Sequence, residues 1–225
     1  MFNDRSFPFI LQERKISIEG DMKNFIFVIF SFVLTAQLSA QEQTLIDQPI
    51  QSGGYGGPVV RFSEFNNKFA VLVGGYGGWL INHSFLLGGG GYGLVNNIIA
   101  SPAAQLYYGA TSDLRTQFGY GGLFLEYTGD PNALIHYSVS TLIGGGSVNY
   151  GYWNSFSQSY YDALSRTSTV FVFEPGVGAE LNITRFFRLN SGVSYRLVRG
   201  SDLPGITDSD MSNFSAFLTF KFGAF

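Results

Sequence analysis

The sequence contains no cysteine. A chain without thiols has no disulfide framework, no thiolate metal site and no cysteine to carry a lipid anchor behind an export signal. A protein that crosses an oxidising compartment loses nothing by this lack. Charge is scarce as well. Asp, Glu, Lys and Arg make up 13% of the 225 residues, about half the share of an ordinary soluble domain. The formal net charge is −3, and no basic stripe offers nucleic acid an electrostatic footprint. Long apolar runs are missing too. The ten-residue stretch Phe25 to Leu34 stands out, whereas a membrane-spanning helix needs about 20 apolar residues. Helical membrane spans are therefore excluded.

What the chain does have is aromatic residues, at 17%, and 29 glycines. Few charges with many rings suit a surface that meets lipid. Near the N-terminus, Lys23 precedes the stretch FIFVIFSFVL, and the small-residue segment Ala36-Gln-Leu-Ser-Ala40 follows it. These are the parts of a secretory signal peptide over 22–40, with cleavage after Ala40. Met22 sits where such a signal begins, so residues 1–21 read as a non-native upstream extension. Residues 41–54 are a polar, unpatterned periplasmic lead-in, and 55–225 form the folded domain.

Within that domain, eight segments rich in Val, Phe, Tyr, Leu and Gly read as strands, at 55–65, 69–81, 84–95, 115–128, 133–147, 168–181, 186–199 and 212–225. Each reaches the roughly 9–11 residues that a transmembrane strand requires. The connections sort by parity. The even ones are short: His83 with its neighbours, Gly129-Asp-Pro-Asn132, and Asn182-Ile-Thr-Arg185. Of the odd ones, Asn66-Asn67-Lys68 is tight, while 96–114, 148–167 and 200–211 are long. Short turns at one end and long loops at the other are the pattern of outer-membrane barrels.

The faces agree with this. Phe171, Phe173, Val177, Ala179 and Leu181 oppose Ser168, Glu174, Gly176, Gly178 and Glu180. In the next strand Phe187, Leu189, Val193, Tyr195 and Leu197 oppose Arg188, Asn190, Gly192, Ser194 and Arg196. An apolar face against a polar, Gly-rich face implies lipid outside and a polar lumen inside. Lipid cannot satisfy free backbone groups, so the sheet must close on itself. The expected fold is all-β: an eight-stranded antiparallel transmembrane β-barrel whose lumen side chains fill.

The glycines cluster as Gly74-Gly-Tyr-Gly-Gly78, Gly88 to Gly91 with Gly93, Gly119-Tyr-Gly-Gly122, and Gly144 to Gly146. They outline a hairpin unit repeated at 74–93 and 119–146, with a degraded copy at 176–192. In the fourth strand the apolar phase slips, as Phe118 and Tyr120 give way to Leu123, Leu125 and Tyr127, and a β-bulge is expected at Gly121-Gly122. No helix pattern follows the glycine runs, so they are not phosphate loops.

The stretches GGYGGPVV (53–60), VLVGGYGGWLINHSF (71–85) and LLGGGGYGLVN (86–96) resemble the Gly-rich, uncharacterised small outer-membrane barrels of Bacteroidota. The resemblance implies an outer-membrane location and a barrel fold, and brings no catalytic residues with it. The chain ends in Phe225, as many such barrels end in an aromatic read by the insertion machinery, although here the apolar ladder stops at Phe222.

Two candidate sites follow from the pattern. Glu174, Glu180, Arg188 and Arg196 lie on the inward face of one hairpin as a lumen charge network, with Glu180 expected opposite Arg188. Tyr150, Tyr152, Trp153, Phe156, Tyr160 and Tyr161 make the third outer loop an aromatic surface. Catalysis finds no support. His136, Ser138 and Ser140 alternate on one strand, and positions two apart do not bring Ser and His into contact. Asp202, Asp208 and Asp210 lack EF-hand spacing. No metal and no cofactor is expected. The first functional expectation is a non-enzymatic barrel with a structural or surface-interaction role; a small-solute channel is the second and a lipid-modifying enzyme the third. The implied partners are outer-membrane lipid, the barrel-insertion machinery and an unidentified surface ligand or protein.

Overall fold

The computed structural model describes residues 52–109, 114–154, 159–161 and 167–225, with backbone alone for 152–154 and 159–161. The expected signal segment 22–40, the upstream extension and nearly all of the lead-in lie outside the described residues. Eight long strands form the wall: β1 (Ser52–Phe65), β2 (Lys68–Ile81), β3 (Phe85–Leu94), β4 (Leu114–Thr128), β5 (Ile135–Asn154), β6 (Thr167–Asn182), β7 (Phe187–Arg199) and β8 (Asn213–Ala224). Each pairs antiparallel with its sequence neighbours, and β8 pairs with β1, so every wall strand is paired on both edges. Paired residues followed once around the wall run Gly53, Leu80, Leu86, Glu126, Ser140, Gly176, Ser194, Ser215 and Ser63. The path returns to β1 ten residues further on (63 − 53 = 10). That stagger is the shear which tilts the strands and lets a narrow barrel close.

Strand boundaries match the sequence expectation within three residues except at β5, which runs to Asn154. There the wall rises above its neighbours, and a short strand, Ser159–Tyr161, folds back onto it. One end of the barrel carries the connections 82–84, 129–134 and 183–186, and the other carries the long loops. The tight turn at Asn66-Asn67 has φ of 51° and 55°. Both central residues of a type I′ hairpin turn adopt this left-handed region, which Asn tolerates. The loop end also holds a two-residue strand, Ile98–Ile99, and two short helices, α1 (Pro102–Tyr107) and α2 (Asp208–Met211).

The outside of the wall is greasy on every strand. Phe62, Trp79, Leu87, Leu123, Val139, Phe171, Val193 and Phe222 are all exposed, one from each strand in turn. Phe69, Phe85, Tyr127, Tyr137 and Phe214 add aromatic rings to the same surface. An apolar exterior closed around a buried interior is the arrangement of a barrel in lipid.

The bulge expected in β4 is absent. Gly121 and Gly122 pair one-to-one with Gly91 and Gly90 on β3 and with Gly145 and Gly144 on β5. Phe118 and Tyr120 are buried in the lumen, whereas Leu123 and Tyr127 face out. The apparent slip marks a change of surroundings. Near the loop end the lumen is apolar and the outward positions turn polar, with Gln117 on β4, Asn149 on β5 and Thr169 on β6.

The inward glycines have a steric reason. Gly78–Gly88, Gly122–Gly144 and Gly178–Gly192 are directly paired, one pair in each of three hairpins. A Cβ at Gly88, Gly144 or Gly192 would overlap the carbonyl oxygen of Gly77, Gly121 or Val177. Here the wall bends so sharply that an inward side chain has no room. The repeated hairpin therefore carries the same closure device three times.

Candidate functional site

The wall encloses a lumen, and side chains fill it in tiers. At the turn end, Glu126 of β4 accepts hydrogen bonds from Tyr55 of β1, from Lys221 of β8 and, at 3.0 Å, from Tyr76 of β2. Lys221 also pairs with Glu180 of β6. Glu180 receives Arg188 Nη1 at 3.1 Å, and His136 Nε2 lies 3.2 Å away. The Arg188 guanidinium in turn stacks 4.0 Å over the ring of Phe225. Strands β4 and β8 do not pair in the wall, so Lys221 bridges the lumen rather than lining it.

In the middle tier, Glu174 of β6 holds Arg61 Nη1 of β1 at 2.7 Å and Ser194 Oγ of β7 at 2.8 Å on one oxygen. Its other oxygen accepts from Tyr120 of β4 at 2.6 Å. Arg61 also lies 4.1 Å over the Tyr92 ring. This is a second span across the lumen, since β1 and β6 are not neighbours. In the turn-end and middle tiers, Tyr55, Tyr76, Tyr92 and Tyr120 each stand opposite at least one glycine. The glycines give the rings space to lie flat across the interior.

The loop end is apolar. Phe65, Leu114, Phe118, Val148, Val170 and Val198 of the wall are buried against Ile98, Ala104, Leu203, Ile206 and Met211 of the outer loops. Backbone and side-chain hydrogen bonds fasten this plug. The Asn66 N–H donates to the carbonyl of Asp210 at 2.8 Å, Ser101 Oγ donates to the carbonyl of Gly205, and the Tyr150 hydroxyl donates to the carbonyl of Pro204 at 3.0 Å. The alternation in β6 and β7 predicts a polar lumen throughout; the outer half instead has a hydrophobic core of its own.

All four members of the expected charge network, Glu174, Glu180, Arg188 and Arg196, are buried in the lumen. They do not form one network. Glu180 and Arg188 are diagonal rather than opposite, because Asn182 pairs with Arg188 and Glu180 with Asn190. The turn is longer than Ile183-Thr-Arg185, which moves the register by two and keeps the faces. Arg196 binds none of the others: its Nε donates to the carbonyl of Met211 at 2.8 Å. Sequence reasoning missed Arg61, Glu126 and Lys221, though each lies at an inward position of its strand. The aromatic loop needs a larger correction. Tyr150 is an inward residue of β5, only 1% exposed, and packs on Tyr108 within the plug. Tyr152 and Trp153 lie in β5, paired with Tyr161 and Tyr160 of the short strand. Phe156 lies outside the described residues.

The acidic loop serves as structure. Asp208 accepts from the N–H groups of Gly200 and Ser201, and Asp210 with Thr207 forms a capping box on α2. Among the described residues, no group of three or more His, Asp or Glu side chains could hold a metal ion.

Closed wall, greasy exterior and bridged interior together define an integral β-barrel of the membrane-spanning class. No protein-family model matches the chain, and no curated protein matches it. Among solved structures it is similar to the N-terminal β-barrel domain of Pseudomonas aeruginosa OprF, at 16% identity over 77% of this chain and 99% of that one, with a TM-score of 0.44. It is similar to Neisserial surface protein A at 12% identity, over 79% and 99% of the two chains, with a TM-score of 0.45. A major outer membrane protein from Thermus thermophilus matches at 9% identity over 76% and 98%, with a TM-score of 0.47.

Proposed function

We propose that this protein is an integral outer-membrane barrel with a non-conducting lumen, acting as a structural or surface-interaction protein without catalysis. One observation carries the reading. Contacts between strands that do not pair, Lys221 with Glu126 and Arg61 with Glu174, cross the lumen at two levels beneath an apolar plug. An eight-stranded barrel has an interior just wide enough for side chains, and these fill it, which argues against the small-solute channel. His136 and Ser138 remain in separate contacts: His136 faces Glu180, and Ser138 accepts from Asn190 Nδ2 at 2.8 Å. A lipid-modifying hydrolase would need them joined. A surface role is supported at the loop end, where Leu106 and Tyr107 of α1 are 85% and 64% exposed beyond the lipid-facing belt.

The test joins two measurements. Cell fractionation with heat-modifiable gel migration should place the protein in the outer membrane, with a compact band before boiling. Reconstitution into planar bilayers should give no reproducible conductance steps. A soluble periplasmic product would refute the location, and regular nanosiemens steps would refute the filled lumen.

A further inference from the structure

The charges of the lumen do not balance tier by tier. At the turn end two cations, Lys221 and Arg188, meet two carboxylates, Glu126 and Glu180. In the middle tier two guanidiniums, Arg61 and Arg196, have among the described residues one carboxylate between them, Glu174. Arg61, Ser194 and Tyr120 already occupy both oxygens of that carboxylate. Glu174 falls opposite Arg196 in the register set by Phe173↔Leu197 and Gly176↔Ser194, yet its oxygens go to Arg61, Ser194 and Tyr120 instead.

Arg196 is 0% exposed, and among the described residues neither its Nη1 nor its Nη2 has a hydrogen-bond partner. The rings of Phe118 and Tyr120 lie 5.4 and 5.7 Å from its guanidinium carbon. A ring attracts a cation through its face; it supplies no acceptor for N–H groups in the guanidinium plane. Arginine does not escape by losing a proton. A charge enclosed at low dielectric without a counter-charge is strongly unfavourable. On the adjoining strand, Ser215 is the diagonal neighbour of Arg196, through the pairs Asn213↔Arg196 and Ser215↔Ser194. Its Oγ is likewise buried and, among the described residues, without a partner.

The geometry points to a small-anion site in the middle of the lumen. A monovalent anion of halide size accepts from Arg196 Nη1 and Nη2, with Ser215 Oγ as a further donor. The plug of Leu203, Ile206 and Met211 lies above and the Lys221 bridge below, so the site is enclosed at both ends. The anion supplies the counter-charge that Glu174 gives to Arg61.

The test uses the full barrel in detergent micelles. Crystals grown with bromide in place of chloride should show an anomalous peak beside the Arg196 guanidinium. At constant ionic strength, the thermal unfolding midpoint should rise by a few degrees when gluconate is replaced by chloride. Arg196→Met should abolish both peak and rise, and Ser215→Ala should weaken the apparent chloride affinity severalfold. The second variant keeps the test intact if Arg196→Met does not fold. No bromide peak in the unaltered protein would overturn the proposal. So would a midpoint that ignores chloride, since a peak alone then reflects binding at crystal concentration only. A chloride response unchanged in both variants would overturn it as well.

Discussion

The two halves of the lumen are filled in opposite ways by one continuous wall. Toward the turns, the interior is a set of buried ion pairs and tyrosine hydroxyls centred on Glu126 and Glu180. Toward the loops, it is an apolar core like that of a soluble domain, made of wall residues such as Val170 and Val198 and of loop residues such as Leu203 and Met211. Both exclude water, but they fail differently. A buried ion pair is fragile to the loss of one partner, because the other is left charged and unpaired. An apolar core loses only the transfer energy and cavity term of what is removed.

The comparison breaks most sharply at Lys221, the cation shared by two carboxylates. Lys221→Met should destabilise the barrel by about 3–5 kcal/mol, the penalty for uncompensated buried charge, read from urea unfolding in micelles. A smaller loss there would mean that water reaches the turn-end tier. Met211→Ala in the plug should follow at about 2–4 kcal/mol, from lost burial and the cavity left behind. Its second readout is mobility: hydrogen exchange should quicken over 200–212 and leave β1 and β8 protected. Tyr76→Phe removes one of the donors to Glu126 and should lower stability by about 1 kcal/mol, since Tyr55 and Lys221 remain. Thr207→Ala, which deletes the α2 cap outside the lumen, should produce a loss of about 1 kcal/mol or less, detected as faster exchange in α2 alone. If Thr207→Ala equals Lys221→Met, the two halves are not distinct in the way described.

Much of this was legible in the chain. Alternation in β6, β7 and β8 assigns Phe171, Val193 and Phe220 to the outside and Glu174, Arg196 and Lys221 to the inside, because a strand's side chains have period two whatever they pack against. Turn residues at Asn66-Asn67 and Gly129-Asp130 mark where strands stop. The misreadings share a cause. Phe118 and Tyr120 look lipid-facing if apolar residues are taken to meet lipid, but one face of β4 changes from apolar core to salt-bridged lumen along its length. Tyr150 looks like a loop aromatic because nothing local reveals that β5 continues upward against β4. Polarity reports the surroundings of a position, and those surroundings change with height along the barrel.

Sequence by itself determined how many strands there are, where the glycines cluster and, in β6, β7 and β8, which residues point in and which point out, since each of these is set by local geometry. Only the tertiary structure decided who meets whom across the lumen. The partners of Lys221 and Arg61 lie on strands far away in the chain, brought near by closure and by a stagger of ten residues. A pairing fixed by the circumference of a closed sheet has no trace in the spacing of any single strand.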